Sequence, residues 1–218
     1  TGKRGKSGYY QPADRAERIE QLIKEKKQLS INDHKRILGD SVSVLHQMIG
    51  PRLCKALAES GLKLASESTL VSKFCQWNGK HETQEVGALV FQEWLIQLRI
   101  LLTENVLNEN ERYHWLRLTH SKHFLYHLFA EGHSHLLKIQ NMSLDQAMVT
   151  AFESTVSVLT EKYGQNSNSW KWGKAHKVTY KHPLGKSKWL SFLNLGPYEA
   201  PGLKDSINAV GSKFSKKR

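Results

Sequence analysis

The sequence predicts a mainly α-helical protein with a β-rich C-terminal part. From residue 13 to Gly164, apolar residues recur at helical spacing between capping residues and turn-forming glycines. After Gly164 the apolar stretches become short, are rich in β-branched and aromatic residues, and are bounded by proline and glycine. We therefore expect a loop at residues 1–12, a helical region at residues 13–164 and a strand region at residues 165–218.

Capping residues predict where the first helices begin. Asp14 is expected to cap the helix in "PADRAERIEQLI", and Ser30 with Asp33 forms a capping-box pattern for a second helix. This second helix is expected to end at Gly50–Pro51, because both residues interrupt helices. The stretch "PRLCKALAESG" then predicts a short helix that starts at proline and ends before glycine.

Three further segments have apolar residues at helical spacing: residues 67–76, 86–104 and 121–130. The stretch "WNGKHETQE" between the first two indicates a turn. The apolar stripe of residues 86–104 is wide, which predicts a well-buried helix. Ser143 begins the last long helix of this region with Gln146 as its capping-box partner, and Gly164 is expected to end it.

The region after Gly164 predicts strands at "HKVTY" and "KWLSFLNL". A few short strands cannot form a stable sheet alone, because isolated hairpins are marginal in water. We therefore expect these strands to pair with strands elsewhere, and the 218 residues to be a piece of a larger protein.

The composition is that of a soluble, basic chain. Its net charge is +12 and 39% of its residues are hydrophobic, and no apolar run approaches the roughly 18 residues that a membrane span needs. A positive charge attracts polyanions without specifying them. The basic tail interleaves its lysines with aromatic residues, a pattern that fits single-stranded nucleic acid binding and equally a half-buried strand with solvated lysines. These residues are Lys171, Lys174, Lys177, Lys181, Lys186 and Lys188 with Trp170, Trp172, Tyr180 and Trp189.

Histidines form a second group of candidates. His120, His123 and His127 share one helical face, and the spacing of the last two suits metal ligands. No glutamate stands between them and no cysteine pair lies nearby, so hydrogen-bonded or partly exposed histidines are favoured and no metal ligand is assigned.

Three other features of the sequence have ordinary structural interpretations. Cys54 and Cys75 lie in apolar helical patterns, so buried free thiols are expected. An N-terminal threonine can act as a nucleophile, but Thr1 begins the basic stretch "TGKRGKSG" and is interpreted as an arbitrary chain start. The composition alone predicts Arg15 to be a surface arginine paired with an acid.

Three stretches, in the same order along the chain, resemble the penicillin amidase (penicillin acylase) family of N-terminal-nucleophile hydrolases. They are "GYYQPADRAERIEQLIKEKKQLSINDHKRILGDSVSVLHQMIGPRL", "LVSKFCQWNGKHETQEVGALVFQEWLIQL" and "LTEKYGQNSNSWKWGKAHKVTYKHPLGK…LNLGPYEAPGLKDSINA". The resemblance implies a fragment of an αββα sandwich that includes the helical insertion of the β subunit. It also implies an enzyme that hydrolyses N-acyl amides of the penicillin, cephalosporin or N-acyl-homoserine lactone type through an N-terminal serine.

The resemblance further implies a self-cleaving precursor (a zymogen), an α subunit and the remainder of the β subunit as partners, and a periplasmic or secreted bacterial enzyme. Roles in antibiotic chemistry or quorum sensing follow from the same substrates. Family members often bind a structural calcium, but no ligand for it is located in this chain. Neither a membrane nor a nucleic acid partner is expected. A basic helical nucleic-acid-binding or scaffold module is the alternative.

This sequence departs from the family pattern at the residues that carry out the reaction in the family. The serine start of the β chain and the oxyanion asparagine are absent, and "WNG" replaces Trp-Asp-Gly. The 218-residue fragment is therefore expected to be inactive. One functional position carries over: Arg15 in "ADRAERIEQLI" aligns with an arginine close to the active centre of the family. His176 and His182 are expected to be structural polar groups.

Overall fold

The computed structural model describes residues 13–61, 65–118 and 120–209. These residues form a helical body followed by a short irregular part. The helices are α1 (Asp14–Lys24), α2 (Ile31–Leu38), α3 (Val44–Glu59), α4 (Ala65–Gln76), α5 (Val86–Thr103), α6 (Glu109–Arg117), α7 (His120–Glu131), α8 (His135–Ile139), α9 (Leu144–Tyr163) and α10 (Trp172–Ala175). The strands are β1 (Lys177–Tyr180) and β2 (Leu195–Glu199), and 3-10 turns cover Ser167–Ser169, Pro183–Lys186 and Lys188–Leu193.

Helix α5 is the centre of the hydrophobic core. It packs along α9, which in turn contacts α3. Trp94 on α5 is fully buried, and its indole N–H donates a 3.0 Å hydrogen bond to the carbonyl oxygen of Met148 on α9. The wide apolar stripe in the sequence predicted this burial correctly, because a helix enclosed on most sides must be apolar on most sides.

Helix α5 also corrects an expectation from the sequence. It is 18 residues long and apolar enough to span a membrane by length and composition, although no apolar run was expected to approach that length. However, 67% of it is buried inside the helical body, and such burial is typical of the core helix of a globular domain.

Several predicted helices are confirmed with their caps. Helices α4, α5, α7 and α9 lie where the apolar spacing placed them. The capping box of Ser30 and Asp33 is present, as is that of Ser143 and Gln146. Gly164 follows α9 with a φ of 84°, a conformation that glycine adopts without strain.

The predicted cap at Asp14 is wrong. Ala13 precedes α1 and makes no side-chain cap. Asp14 is instead the first helical residue, buried, and its carboxylate accepts a hydrogen bond from the Tyr126 hydroxyl on α7. The Asp14 carboxylate therefore bonds a residue 112 positions away in the sequence, and not the backbone N–H group that the local pattern predicted.

The predicted helix end at Gly50–Pro51 is also wrong. Helix α2 ends earlier, at Leu38, and α3 runs through Pro51. Pro51 lacks the N–H that would bond the carbonyl oxygen of Gln47, but both residues are exposed, so water can satisfy that oxygen. Gly50 remains helical because its missing side chain makes room for the His46 ring, whose Nε2 would lie 2.6 Å from a Cβ there.

The cysteines were expected to be buried free thiols, and this expectation is wrong. Cys54 on α3 and Cys75 on α4 form a disulfide with their Cα atoms 5.8 Å apart. Cys54 is half-buried and Cys75 is exposed. The covalent link joins α3 to α4.

The β-rich C-terminal part is not confirmed in residues 165–209. Strand β1 matches "HKVTY", but the predicted strand "KWLSFLNL" is mostly a 3-10 helix. Its apolar residues Trp189, Leu190, Phe192 and Leu193 repeat every three residues, the period of a 3-10 helix rather than of a strand. Strand β2 lies just after it and pairs antiparallel with β1 in a two-stranded sheet.

Candidate functional site

The connection between α4 and α5, residues 77–85, holds distant parts of the chain together. We call it the junction loop. Its backbone forms hydrogen bonds with the residues before α3, with the start of α10 and with the C-terminal segment. These bonds join Ser43 N to Gly79 O (3.0 Å), His81 N to Ser41 O (3.1 Å), Trp172 N to Glu85 O (3.0 Å), Gly173 N to Thr83 O (2.8 Å) and Gly202 N to His81 O (2.7 Å).

Aromatic and imidazole rings follow one another through the junction loop. The ring centroids of His46 and Trp77 are 4.3 Å apart, those of Trp77 and His81 are 5.2 Å apart, and those of His81 and Trp172 are 5.2 Å apart. His176 stacks on Trp172 at 4.6 Å. This row of two tryptophans and three histidines connects α3 to the C-terminal part, and all three family-like stretches contribute to it.

The histidines of this row are held as structural groups. His81 is fully buried; its Nδ1–H donates to the carbonyl oxygen of Gly79 (3.1 Å), and its Nε2 accepts from the Gln92 amide (3.0 Å). Burial lowers the pKa of His81 to about 3 and the pKa of His46 to about 4. Both imidazoles are therefore neutral at pH 7.

His176 and His182 differ in their environments. His176 is 1% exposed, and its Nδ1–H donates a 2.8 Å hydrogen bond to the carbonyl oxygen of Ala200. His182 is exposed, and its Nδ1 accepts from the backbone N–H of Leu184. Both rings therefore bond the main chain, as the sequence predicted for structural groups.

Arg15 lies at a junction between α1 and the C-terminal segment. Its Nε donates to the carbonyl oxygen of Ser206 (3.1 Å), and its Nη2 donates to that of Lys204 (2.7 Å). The predicted pairing with an acid is therefore replaced by two main-chain carbonyls. These bonds fix the plane of the guanidinium while the side chain stays exposed.

The elements around Arg15 are joined by charged and polar contacts. On one side, Asp14 accepts from the Tyr126 hydroxyl, and Lys122 forms an ion pair with Asp205. Burial first, and the hydrogen bond to Asp14 second, raise the pKa of Tyr126 far above its usual range, so its hydroxyl remains a donor. Helix α7 therefore supports both α1 and the segment that holds Arg15.

On the other side, Arg18 and Asp40 form a two-point ion pair. Arg18 Nε lies 3.0 Å from Asp40 Oδ1, and Arg18 Nη2 lies 2.8 Å from Oδ2. This hydrogen bonding raises the pKa of Arg18. The carbonyl oxygen of Asp40 accepts from the backbone N–H of Asn208 (2.9 Å).

The C-terminal segment itself is held by Ser206. This residue is 1% exposed, and its hydroxyl bonds the backbone of Leu203 and the carbonyl oxygen of Asn208. The carbonyl oxygens that bind Arg15 are thus fixed on a rigid turn. A guanidinium fixed in this way, at the surface, can bind a carboxylate or polarise a carbonyl oxygen without reorganising.

The structure gives weaker support to a functional role for the histidines of α7. His123 is half-buried and His127 is exposed. Within the described ranges, no group of three or more histidine, cysteine, aspartate or glutamate side chains could hold a metal ion. Thr1 lies outside the described residues.

The basic tail divides its aromatic residues between core and surface. Trp170 and Trp172 are 2% and 6% exposed, and their indole N–H groups donate to the carbonyl oxygens of Gly164 and Gly202. They are therefore unavailable to stack on a base. Tyr180 and Trp189 are 62% and 90% exposed.

Sequence reasoning missed the contacts that assemble the Arg15 region. Nothing in the local pattern pairs Asp14 with Tyr126 or Lys122 with Asp205, because these partners are distant in sequence. His81 was noted only as part of a turn. A buried histidine in a turn has no periodic signal.

Residues 2–217 match the sequence profile of the family described as penicillin amidase. The fold is similar to that of a thermostable penicillin G acylase from Alcaligenes faecalis, with a TM-score of 0.59 and 16% sequence identity. The similarity covers 78% of this chain but 36% of the acylase chain. No protein with a curated description matches the chain.

Proposed function

The chain belongs to the penicillin amidase family, and from that premise we propose that it is part of an amidohydrolase. The whole enzyme hydrolyses N-acyl amide bonds of the penicillin, cephalosporin or N-acyl-homoserine lactone type. The match over residues 2–217 is the observation that carries this proposal. The fold similarity to a penicillin G acylase supports it independently.

The proposed reaction uses an N-terminal serine outside these 218 residues. The serine hydroxyl attacks the amide carbonyl while the α-amine of the same residue takes the proton. The tetrahedral oxyanion is stabilised by hydrogen-bond donors; the α-amine then returns the proton to the leaving nitrogen, and collapse expels the amine and leaves an acyl ester on serine. Water then hydrolyses this ester by the same route and releases the acid.

Arg15 has a supporting role in this proposal. Its guanidinium is fixed by the carbonyl oxygens of Lys204 and Ser206 and remains exposed. A fixed positive charge near the reacting carbonyl stabilises negative charge that develops in the transition state, or holds a polar group of the substrate. The geometry suits this role because the side chain need not reorganise during the reaction.

The whole enzyme is proposed to contain an α subunit and the remainder of the β subunit, produced by autoproteolysis of one precursor. The helical body described here is proposed to be the insertion of an αββα sandwich. No calcium ligand is assigned to this chain. The Cys54–Cys75 disulfide supports a periplasmic or secreted location, because structural disulfides persist in oxidising compartments.

A hydrolysis assay tests the proposal. The whole protein that contains these residues is expected to release acid and amine from a phenylacetyl amide, a penicillin or an N-acyl-homoserine lactone. The 218-residue chain alone is expected to release neither. Turnover by the isolated chain, or no turnover of any N-acyl amide by the whole protein, would contradict the proposal.

A further inference from the structure

Asn78 and Gly79, in the junction loop, are the only asparagine–glycine pair in the 218-residue sequence. The side chain of asparagine deamidates when the backbone nitrogen of the next residue attacks its carbonyl carbon. Glycine permits this attack best, because it has no Cβ to obstruct the approach. Asn78 is exposed, so water has access to its carboxamide. The loop therefore brings together the groups that deamidation requires.

The turn at Asn78 folds the carboxamide over the next peptide unit. Asn78 Oδ1 accepts a 3.1 Å hydrogen bond from the backbone N–H of Lys80, two residues further on. This bond closes a ring of atoms that includes the Gly79 nitrogen, and it draws electron density from the side-chain carbonyl carbon. No described residue accepts a hydrogen bond from the Gly79 N–H. The attacking nitrogen is therefore available beside an activated carbonyl carbon.

We propose that Asn78 deamidates spontaneously in the folded protein, and that the junction loop directs the product to aspartate. The Gly79 nitrogen gives its proton to solvent and bonds to Cγ of Asn78. The bond between Cγ and Nδ2 breaks, and the leaving nitrogen takes protons from solvent and departs as ammonia. A five-membered succinimide ring remains in the main chain. This inference is independent of the proposed amide hydrolysis.

Water can open the succinimide at either of its two carbonyl carbons. Addition at Cγ breaks the bond between Cγ and the Gly79 nitrogen, and gives aspartate in the original main chain. Addition at the main-chain carbonyl of residue 78 breaks the other bond and gives isoaspartate. The main chain of isoaspartate passes through the side-chain carbon and is one atom longer. The two products are therefore distinguished by what they do to the position of Gly79.

The contacts of Gly79 favour aspartate. Its carbonyl oxygen accepts from Ser43 N (3.0 Å) and from His81 Nδ1–H (3.1 Å). A Cβ on Gly79 would lie 2.9 Å from His46 Nδ1, so this residue has no room to move toward the ring. A longer main chain would displace it from these contacts. Aspartate leaves them in place, and its carboxylate can accept a stronger, charge-assisted hydrogen bond from the Lys80 N–H.

Asn166 is an internal control with the same side-chain turn. Its Oδ1 accepts a 3.1 Å hydrogen bond from the backbone N–H of Asn168, two residues further on, and it is also exposed. It is followed by Ser167, whose side chain hinders attack by the backbone nitrogen. A difference in rate between Asn78 and Asn166 therefore reports the effect of the following glycine.

Peptide mapping of the whole protein tests the proposed site. The protein is kept at neutral pH for several weeks, sampled at intervals and digested at mildly acidic pH, which prevents further deamidation. Mass spectrometry then follows the peptide of residues 74–80 and the peptide that contains Asn166. We expect Asn78 to deamidate at least ~10-fold faster than Asn166. Equal rates at the two asparagines would overturn the proposal.

The ratio of the two products tests the role of the fold. Chromatography separates the aspartate and isoaspartate forms of the 74–80 peptide, and the Asn78→Asp protein supplies the aspartate standard. We expect mainly aspartate in the folded protein, and mainly isoaspartate in the same protein kept unfolded in urea with its disulfide reduced. The same ratio in both samples would show that the junction loop does not direct the product.

Cation-exchange chromatography of the undigested protein gives an independent readout. Deamidation replaces a neutral amide with a negative charge, so the aged protein is expected to form a second species that elutes earlier, together with Asn78→Asp. The Asn78→Gln protein is expected to lose at least ~10-fold in the rate at which this species forms, because the longer side chain closes its ring poorly. Formation of the second species at the same rate in Asn78→Gln would contradict the assignment to Asn78.

Discussion

Two hydrogen bonds to main-chain carbonyls give Arg15 a fixed orientation at the surface. The sequence alone predicted a surface arginine at this position, and only the family resemblance proposed a role for it. The bonds to Lys204 and Ser206 could not be predicted from the sequence, because their acceptors are carbonyl oxygens 189 and 191 residues away. Because these bonds also join α1 to the C-terminal segment, a purely structural role for Arg15 is the competing interpretation.

The substitution Arg15→Lys separates the two interpretations. Lysine retains the charge but loses the planar fork that bonds two carbonyls and a substrate group. In the whole enzyme we expect kcat/KM to fall roughly 10- to 1000-fold, with a melting temperature within a few degrees of the parent. Arg36→Lys is the control, since Arg36 pairs with Glu25 on the exposed surface and is expected to leave kcat/KM unchanged. A lower melting temperature with an unchanged kcat/KM would make Arg15 a structural residue only.

His46 and His81 make stability depend on pH. Their pKa values are about 4 and about 3 in the folded chain, below the ordinary value of about 6.5 in the unfolded chain. Below pH 6.5 the unfolded chain therefore binds protons that the folded chain does not. Stability is fully present above pH 6.5 and is lost as the pH falls toward these folded values.

We expect the free energy of unfolding to fall by roughly 2 kcal/mol for each histidine between pH 7 and pH 5. Urea unfolding at both pH values measures it. His81→Gln is expected to reduce the loss, whatever its stability at pH 7, because one titrating group is gone. His127→Gln, at an exposed position, is the control and is expected to leave the loss unchanged. An identical loss in His81→Gln and the parent would show that His81 is not held neutral.

The disulfide between Cys54 and Cys75 is a further contribution of individual residues to stability. Its two cysteines lie 21 residues apart, and the link restricts the unfolded chain by about 3 kcal/mol on the chain-entropy model. Cys75→Ser is expected to lower the melting temperature by roughly 6–12 °C. Ser72→Ala, on the exposed side of the same helix, is the control. Two free thiols in the unreduced protein, counted with a thiol reagent, would rule out the disulfide.

At the scale of elements, the helical body was largely predictable. Helices α5 and α9 have continuous apolar spacing and clear termini, so local pattern and tertiary packing agree. The wrong predictions concern segments in which the local sequence pattern and the tertiary packing disagree. The Gly50–Pro51 pair predicted a helix end, but Gly50 accommodates the His46 ring, and the Gln47 carbonyl that lacks a donor at Pro51 belongs to an exposed residue. The period of three in "KWLSFL" was interpreted as a strand because its residues are strand formers.

The junction loop packs closely against α3 at Gly79. Gly79 has a φ of 84°, and a Cβ at this position would lie 2.9 Å from His46 Nδ1. Gly164 has the same φ, but nothing lies within 4 Å of a Cβ there. The left-handed backbone favours glycine at both positions. Of the two, only Gly79 is also packed against a side chain.

Comparison of two alanine substitutions tests this difference. Gly164→Ala is expected to destabilise the chain by about 1 kcal/mol, which is the backbone cost alone. Gly79→Ala is expected to cost about 2–4 kcal/mol, because the added methyl group also displaces the His46 ring. Chemical denaturation of the two variants measures both values. Equal destabilisation would show that the loop does not pack tightly on His46.

At the scale of the whole molecule, the chain covers 36% of the acylase chain that it resembles. The sequence could predict the family because its motifs keep their order along nearly the whole chain. The nucleophile is proposed to lie outside these residues. The arrangement around Arg15 is thus proposed to be one wall of a site whose reacting groups lie elsewhere in the enzyme.

Mapping of the acylated residue tests this central claim most directly. The whole protein is incubated with a slowly hydrolysed N-acyl amide or a sulfonyl fluoride, quenched and digested, and the modified peptide is identified by mass spectrometry. We predict that the label lies on the N-terminal serine of the chain that contains residues 1–218, and that the isolated 218 residues take up no label. A label within residues 1–218, or hydrolysis without any covalent label, would contradict the account.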